Sequence, residues 1–232
     1  MNLTIIYNLI QGPLVWLSLT VFIAGIAFQT WRLTKMMQTN VNDRRIPEKE
    51  LIAPKALSKK ENFLRKLFFL KLSVLGVNPL VVFISLIFHL CLLITPIFVT
   101  AHAVLLEKFF GIGWLSWFSW SPQTTHFTTG IVLACGFFFV VRRVIIRRVR
   151  AITTIYDFMM LALALTPFLT GYLAHEGMGD YSSMIAIHIL SGELMLILIP
   201  FSKFFHMIFF FLSRFTIVNE YSLGAPKRSW QF

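Results

Sequence analysis

The chain has 232 residues, 57% of them hydrophobic and 13% charged, with a mean hydropathy of +0.75 and a formal net charge of +11. That composition excludes an ordinary water-soluble enzyme and describes an integral membrane protein. The basic residues lie in stretches between apolar blocks rather than on a folded basic surface, which argues against a nucleic-acid partner and in favour of membrane topology.

The apolar blocks are long enough to cross roughly 30 Å of hydrocarbon as helices, and the alternating ten-residue segments of an outer-membrane barrel are missing. The expectation is an all-α protein, one membrane domain over residues 1–232, with five spans near 13–30, 79–106, 125–141, 152–174 and 183–213. The first span lacks the basic start and small-residue cleavage site of a secretory signal and is expected to remain as an anchor, with Pro13 in its first turn. Residues 31–78 form a long hydrophilic loop running from Arg32 to Lys71, either a docking surface or a basic segment on anionic lipid. A second basic cluster, Arg142, Arg143, Arg147, Arg148 and Arg150, separates the third and fourth spans. The intervening segments "LLEKFFGIGWLSWFSWSPQTTH" and "AHEGMGDYSS" carry almost no Lys or Arg. The positive-inside rule therefore places the amino terminus outside, the carboxyl terminus in the cytoplasm, and Trp114, Trp117 and Trp120 in an aromatic belt at the outer interface. The tail "NEYSLGAPKRSWQF" falls on the cytoplasmic side as a partner contact or a disordered end.

Cys91 and Cys135 both fall within spans and lack the spacing of a zinc, iron–sulfur or covalent haem site, so each is expected to act as a small buried apolar residue. Histidine is more informative. His89 and His102 lie in the second span, and His188 and His206 in the fifth, eighteen residues apart in "HILSGELMLILIPFSKFFH". On one unbroken helix those two would share a face, roughly 27 Å apart along the axis. Ionisable side chains at membrane depth are costly and tend to be functional, and neutral imidazole is a good axial ligand for haem iron. Depth pairs them: His89 and His206 are each about 12 Å from the cytoplasmic ends of their spans, and His102 and His188 are level near the outer ends. This predicts a diheme helix bundle with two bis-histidine b haems, the outer one on His102 and His188 and the inner one on His89 and His206. Thirteen residues of ideal helix leave His89 and His102 about 140° apart in azimuth, so the pairing requires a kink or a change of pitch at Pro96, eased by Thr95 or Thr100.

Three segments carry a family resemblance: "FHLCLLITP" in the second span, "YDFMMLALALTPFLTGYL" in the fourth, and the fifth-span histidine followed by "PFSKFFH". They resemble the cytochrome b gamma subunit of respiratory nitrate reductase. The likeness is closer still to the b-type membrane subunits found with heterodisulfide-reductase-like iron–sulfur proteins, including those of sulfate-reducer transmembrane redox complexes. It covers spans two to five. The resemblance implies a five-span diheme, quinone-reactive subunit of a bacterial or archaeal cytoplasmic membrane that exchanges electrons with a cytoplasmic iron–sulfur partner. It makes His188 and His206 the fifth-helix ligands. The second helix departs from the nitrate reductase pattern, in which the ligands are ten residues apart: with His89 as the later ligand, the earlier would fall on Pro79, which cannot ligate.

On this reading Glu193, within the apolar fifth span, is a candidate proton relay for quinol, and His175 with Glu176 marks a proton exit. Lys203, Arg142 and Arg143 are candidate partners of haem propionates, and His126 is expected to be an ordinary interfacial residue. Two alternatives stay open: a haem conduit fed by an extracytoplasmic multihaem cytochrome c docked on the Trp-rich loop, without quinone chemistry, and a non-haem anchor or transporter. The transporter alternative lacks the internal repeat that such folds carry.

Overall fold

The computed structural model describes residues 3–43, 78–111 and 113–210. The docking-loop reading therefore lies largely outside the described residues, as does the reading of the 219–232 tail. The described residues are helical, with one isolated bridge between Val99 and Trp120. Their helices are α1 (Leu3–Gln11), α2 (Pro13–Asp43), α3 (Pro79–Phe98), α4 (Thr100–Phe110), α5 (Pro122–Ile145), α6 (Arg147–Ile152), α7 (Ile155–His175) and α8 (Tyr181–Leu198), with short 3-10 turns at Gly113–Phe118, Ile199–Phe201 and Lys203–Phe205. Five stretches are long and apolar enough to cross a bilayer: Tyr7–Met36, Pro79–Phe98, Pro122–Ile145, Ile155–His175 and Tyr181–Phe201. Large apolar side chains such as Phe83 and Phe137 are more than 60% exposed, as expected where lipid tails rather than water cover the surface.

The chain falls into two compact units, one drawn from residues 1–11 and 69–195, the other from residues 12–68 and 196–232. In the first, α3, α5 and α7 pack around Phe88, Val132, Leu161 and Phe168. Cys91 and Cys135 are free and lean against this cluster, acting as the small apolar residues their isolation in sequence suggested. Helix starts follow local chemistry. Pro79 and Pro122 occupy first turns, where no amide partner is needed, and the Ser121 hydroxyl accepts from Thr124 N at 3.2 Å. At α7 the backbone N–H and the hydroxyl of Thr154 both donate to Asp157, each at 2.8 Å. Before α8 the Ser183 hydroxyl and amide donate to Asp180 at 2.7 and 2.8 Å, and these bonds hold its carboxyl below its ordinary range.

In the second unit Gly25 of α2 lies against Pro200, where an added Cβ would come within 2.6 Å of the proline ring. Gln29 donates to the Pro200 carbonyl at 3.1 Å. Glycine thus lets a helix backbone approach a rigid proline, and a side-chain amide satisfies a carbonyl at the helix end.

Three expectations about the elements are corrected. The second span does not run unbroken from 79 to 106: α3 ends at Phe98, Val99 is extended (φ −68°, ψ 129°), and α4 starts afresh at Thr100. The break comes three residues after Pro96 and is held from outside. Trp120 N donates to the Phe98 carbonyl at 2.7 Å, its ring stacks on Phe98 at 5.5 Å, and the Thr100 hydroxyl donates to the Trp120 carbonyl at 3.2 Å. Of the three belt tryptophans, Trp114 and Trp117 are exposed, whereas Trp120 is half-buried in this contact.

The fifth span is not one helix from 183 to 213 either, because Pro200 cannot continue the hydrogen-bond ladder. Helix α8 stops at Leu198, two 3-10 turns follow with Ser202 extended between them, and helix resumes over 206–210. The premise of one ideal helix, which put His188 and His206 on a common face, is not met. Finally, the loop placed at 31–78 begins later, since α2 continues through Asp43.

Candidate functional site

The break at Val99 matters because it frees α4 from the helical phase of α3. The Pro96 carbonyl, near the end of α3, accepts a hydrogen bond from His102 Nδ1 at 2.8 Å. On α7 the Pro167 carbonyl accepts from His188 Nδ1 at 2.7 Å. The two ring centroids are then 5.9 Å apart, with planes tilted by 32°. Gly171, one turn past Pro167, makes room: a Cβ there would lie 3.2 Å from both Cε1 and Nδ1 of His188.

The hydrogen bonds fix the tautomer. A carbonyl oxygen only accepts, so Nδ1 carries the proton in each ring and Nε2 keeps its lone pair. Backbone carbonyls bound to the far nitrogen are the usual outer-shell partners of metal-ligating histidines. Metal–imidazole bonds of about 2 Å on either side of one ion bring facing ring centres to roughly 6 Å, the separation found here. Among the described residues no group of three or more His, Cys, Asp or Glu is arranged to hold a metal ion. A two-imidazole donor set suits haem, whose porphyrin supplies the four in-plane nitrogens, better than zinc, which takes three or four protein ligands.

His89 shows the same local arrangement. Its Nδ1 lies 2.7 Å from the Ser85 carbonyl one turn back, and its ring is exposed on α3. His206, in the second unit, donates Nδ1–H to the Lys203 carbonyl at 2.6 Å and is also exposed. In all four expected ligands Nδ1 therefore meets a backbone carbonyl. His102 and His188 meet within the first unit.

Glu193, on α8, is 5% exposed, and neither carboxyl oxygen has a hydrogen-bond partner among the described residues. His175 is exposed at the end of α7, its ring 5.8 Å from that of His126. Arg143 donates to the Phe139 carbonyl of its own helix at 3.3 Å. Arg142 buries Nε without a partner among the described residues, beside an apolar cleft lined by Pro79, Leu80, Phe138 and Ile145. Lys203 is exposed in the last 3-10 turn.

Two features were not foreseen. Gly171 as the seat of His188 has no signal in a single sequence beyond a glycine within an apolar helix. His126 is more than an interfacial residue: it stacks on Tyr172 at 4.5 Å and lies 2.7 Å from Glu176 through Nε2. Those partners stand about fifty residues away in the chain, and only the packing of α5 on α7 brings them together.

Gly171 supplies a direct test of the seat. Gly171→Val adds a branched side chain into a 3.2 Å gap and should push His188 out of register. On the haem expectation from the sequence, purified Gly171→Val protein should lose the absorbance of one haem, while Gly130→Val, at a position with open space around it, should not.

A protein of Nitratidesulfovibrio vulgaris (strain Hildenborough), whose description states no activity, is 29% identical to this chain over 218 residues, 94% of each. No family model and no solved structure matches the chain.

Proposed function

We propose that the chain is the membrane cytochrome b subunit of a respiratory redox complex in a cytoplasmic membrane. In this role it carries electrons between a quinone pool near the outer face and a cytoplasmic iron–sulfur partner through two bis-histidine b haems. The observation that carries the reading is the His102–His188 pair: two imidazoles 5.9 Å apart, each with Nδ1 committed to a backbone carbonyl. An anchor needs no such pair, and a transporter has no use for two ligand-poised rings without a third donor.

Haem b, when bound, supplies one-electron exchange at its iron. Everything else falls to the chain. His102 and His188 would hold the outer group, and their carbonyl partners hold the rings oriented through Nδ1, so little reorganisation is needed on loading. His89 and His206, level by sequence depth and sharing the same tautomer, are assigned to the inner group. Arg142, whose Nε has no partner among the described residues, is the cation assigned to its propionates on the cytoplasmic side, and Lys203 is the second such residue named from the sequence. Glu193 holds or releases a proton at a carboxyl oxygen within the span. Moving a charge across the bilayer stores about 2.3 kcal/mol per 100 mV, so placing proton release outside and electron exit inside makes the subunit a means of conserving energy.

A pyridine haemochrome assay combined with a redox titration of the purified protein tests this. The expected result is two b haems per chain with two distinguishable potentials. Protein that is folded and helical but carries no haem would overturn the reading in favour of an anchor or transporter.

A further inference from the structure

The break at Val99 re-routes the backbone hydrogen bonds around His102. An unbroken helix would send the Thr100 amide to the Pro96 carbonyl and the His102 amide to the Phe98 carbonyl, four residues back in each case. Instead Trp120 N takes the Phe98 carbonyl at 2.7 Å, and the His102 amide falls back on the Val99 carbonyl at 3.1 Å. The Pro96 carbonyl goes to the His102 ring, through Nδ1 at 2.8 Å. We infer that Trp120 is a positioning residue for the His102–His188 pair: it holds the break open, and its release lets the helix close through Val99 and withdraws His102. The pair's service to a haem rests on the cytochrome reading above, whereas the positioning rests on the backbone alone.

The two arrangements exclude one another at a single torsion. Val99 pairs with Trp120 in an isolated bridge and is extended there, with ψ 129°. Closing the helix needs ψ near −42° at the same residue. Three further features favour the extended side. The Trp120 ring lies flat on Phe98, with planes 14° apart. The Thr100 hydroxyl donates to the Trp120 carbonyl at 3.2 Å. Val99 itself is β-branched and so a weaker helix former than alanine.

Closure would cost His102 its seat. Six residues of ideal helix set His102 about 9 Å along the axis from Pro96 and about 120° round it, with the helix body between ring and carbonyl. The Thr100 amide would also reclaim that carbonyl. The orientation of His102 is therefore set by a segment some twenty residues on in the chain, beyond the 3-10 turn Gly113–Phe118, and not by its own helix.

The test uses the full-length protein with Cys91→Ala and Cys135→Ala, carrying His102→Cys and His188→Cys, treated with a short bis-methanethiosulfonate cross-linker. Mass spectrometry scores the intramolecular link, so the readout needs no haem. This parent should cross-link nearly completely. Adding Trp120→Ala should lower the yield by about fivefold or more. Trp120→Phe, which keeps a flat ring for Phe98, should restore it, and Trp117→Ala, at a side chain 86% exposed in the preceding turn, should leave it unchanged. Val99→Ala shifts the same equilibrium with Trp120 in place, and should also lower the yield even if Trp120→Ala protein fails to fold. In parallel, Trp120→Ala in the chain with all its histidines should lose one of two haems, and Trp120→Phe should keep both. Equal cross-linking in the parent, Trp120→Ala and Val99→Ala proteins would overturn the inference and leave the cytochrome reading as it stands. A yield that falls in both and recovers in Trp120→Phe, in a chain that takes up no haem, would support the positioning role while sinking the cytochrome reading.

Discussion

Replacing His188 with alanine should remove one of the two haems and about half of the reduced b-type absorbance, and replacing His102 should remove the same one. The two substitutions lie on different helices, so a shared loss is not a generic consequence of damaging one element. It follows from the two rings lying 5.9 Å apart, each with Nδ1 on a backbone carbonyl. A haem held between the two would lose one of its two histidine ligands in either variant. Either substitution also leaves the Pro96 or Pro167 carbonyl without the imidazole N–H that it accepts, so the slot itself loosens. Conversely, His102→Met should keep the haem and raise its midpoint potential, because thioether ligation favours ferrous iron, while the second potential stays in place. A redox titration of the three variants separates these outcomes. Loss of different haems in His102→Ala and His188→Ala would sink the pairing, whatever the haem count of wild type.

The closeness of His102 and His188 was legible in the sequence as depth, and the backbone explains why. Counting residues from the span ends sets His102 and His188 level because rise per residue is nearly constant. Azimuth is not so forgiving. The 140° conflict between His89 and His102 is real for an ideal helix, and the break at Val99 frees His102 from the phase that set it. Pro96 signalled that break, but its exact site depends on Trp120, whose amide and ring dock on Phe98 from beyond the 3-10 turn. Such a contact has no periodic signature. The same limit explains the fifth span, where hydropathy runs on through Pro200, the missing proline amide ends the helix, and Gln29 of α2 donates to the Pro200 carbonyl. Hydropathy therefore locates spans well, because the bilayer imposes length, and locates their interruptions poorly, because side chains from elsewhere stabilise those. The His126–Glu176 contact was missed for a related reason: each residue looks interfacial alone, and the pair exists only through the packing of α5 against α7.

Glu193 offers the sharpest separation of stability from function. Its side chain is 5% exposed and neither oxygen has a partner among the described residues, so the fold bears the cost of burying a polar group unmatched, about 1–3 kcal/mol on mutational scales. A residue kept solely for packing would be a leucine at such a position. Glu193→Leu should accordingly unfold at a higher temperature than wild type, by about 2–4 °C per kcal/mol for a chain of this size. Its haem content should be unchanged, since none of the four ligands is touched. The rate at which a reduced quinol analogue reduces the protein should nevertheless fall, by about 100-fold or more if the carboxyl passes the proton. Glu193→Gln separates the two effects further. It keeps the volume and a hydrogen-bonding end but cannot release a proton, so it should lack the thermal gain of leucine and share its kinetic loss. A leucine variant that is both more stable and fully active would reduce Glu193 to an unrewarded polar residue. One that is less stable would mean the carboxyl has a partner in the assembled complex, and the cost of burial is met there.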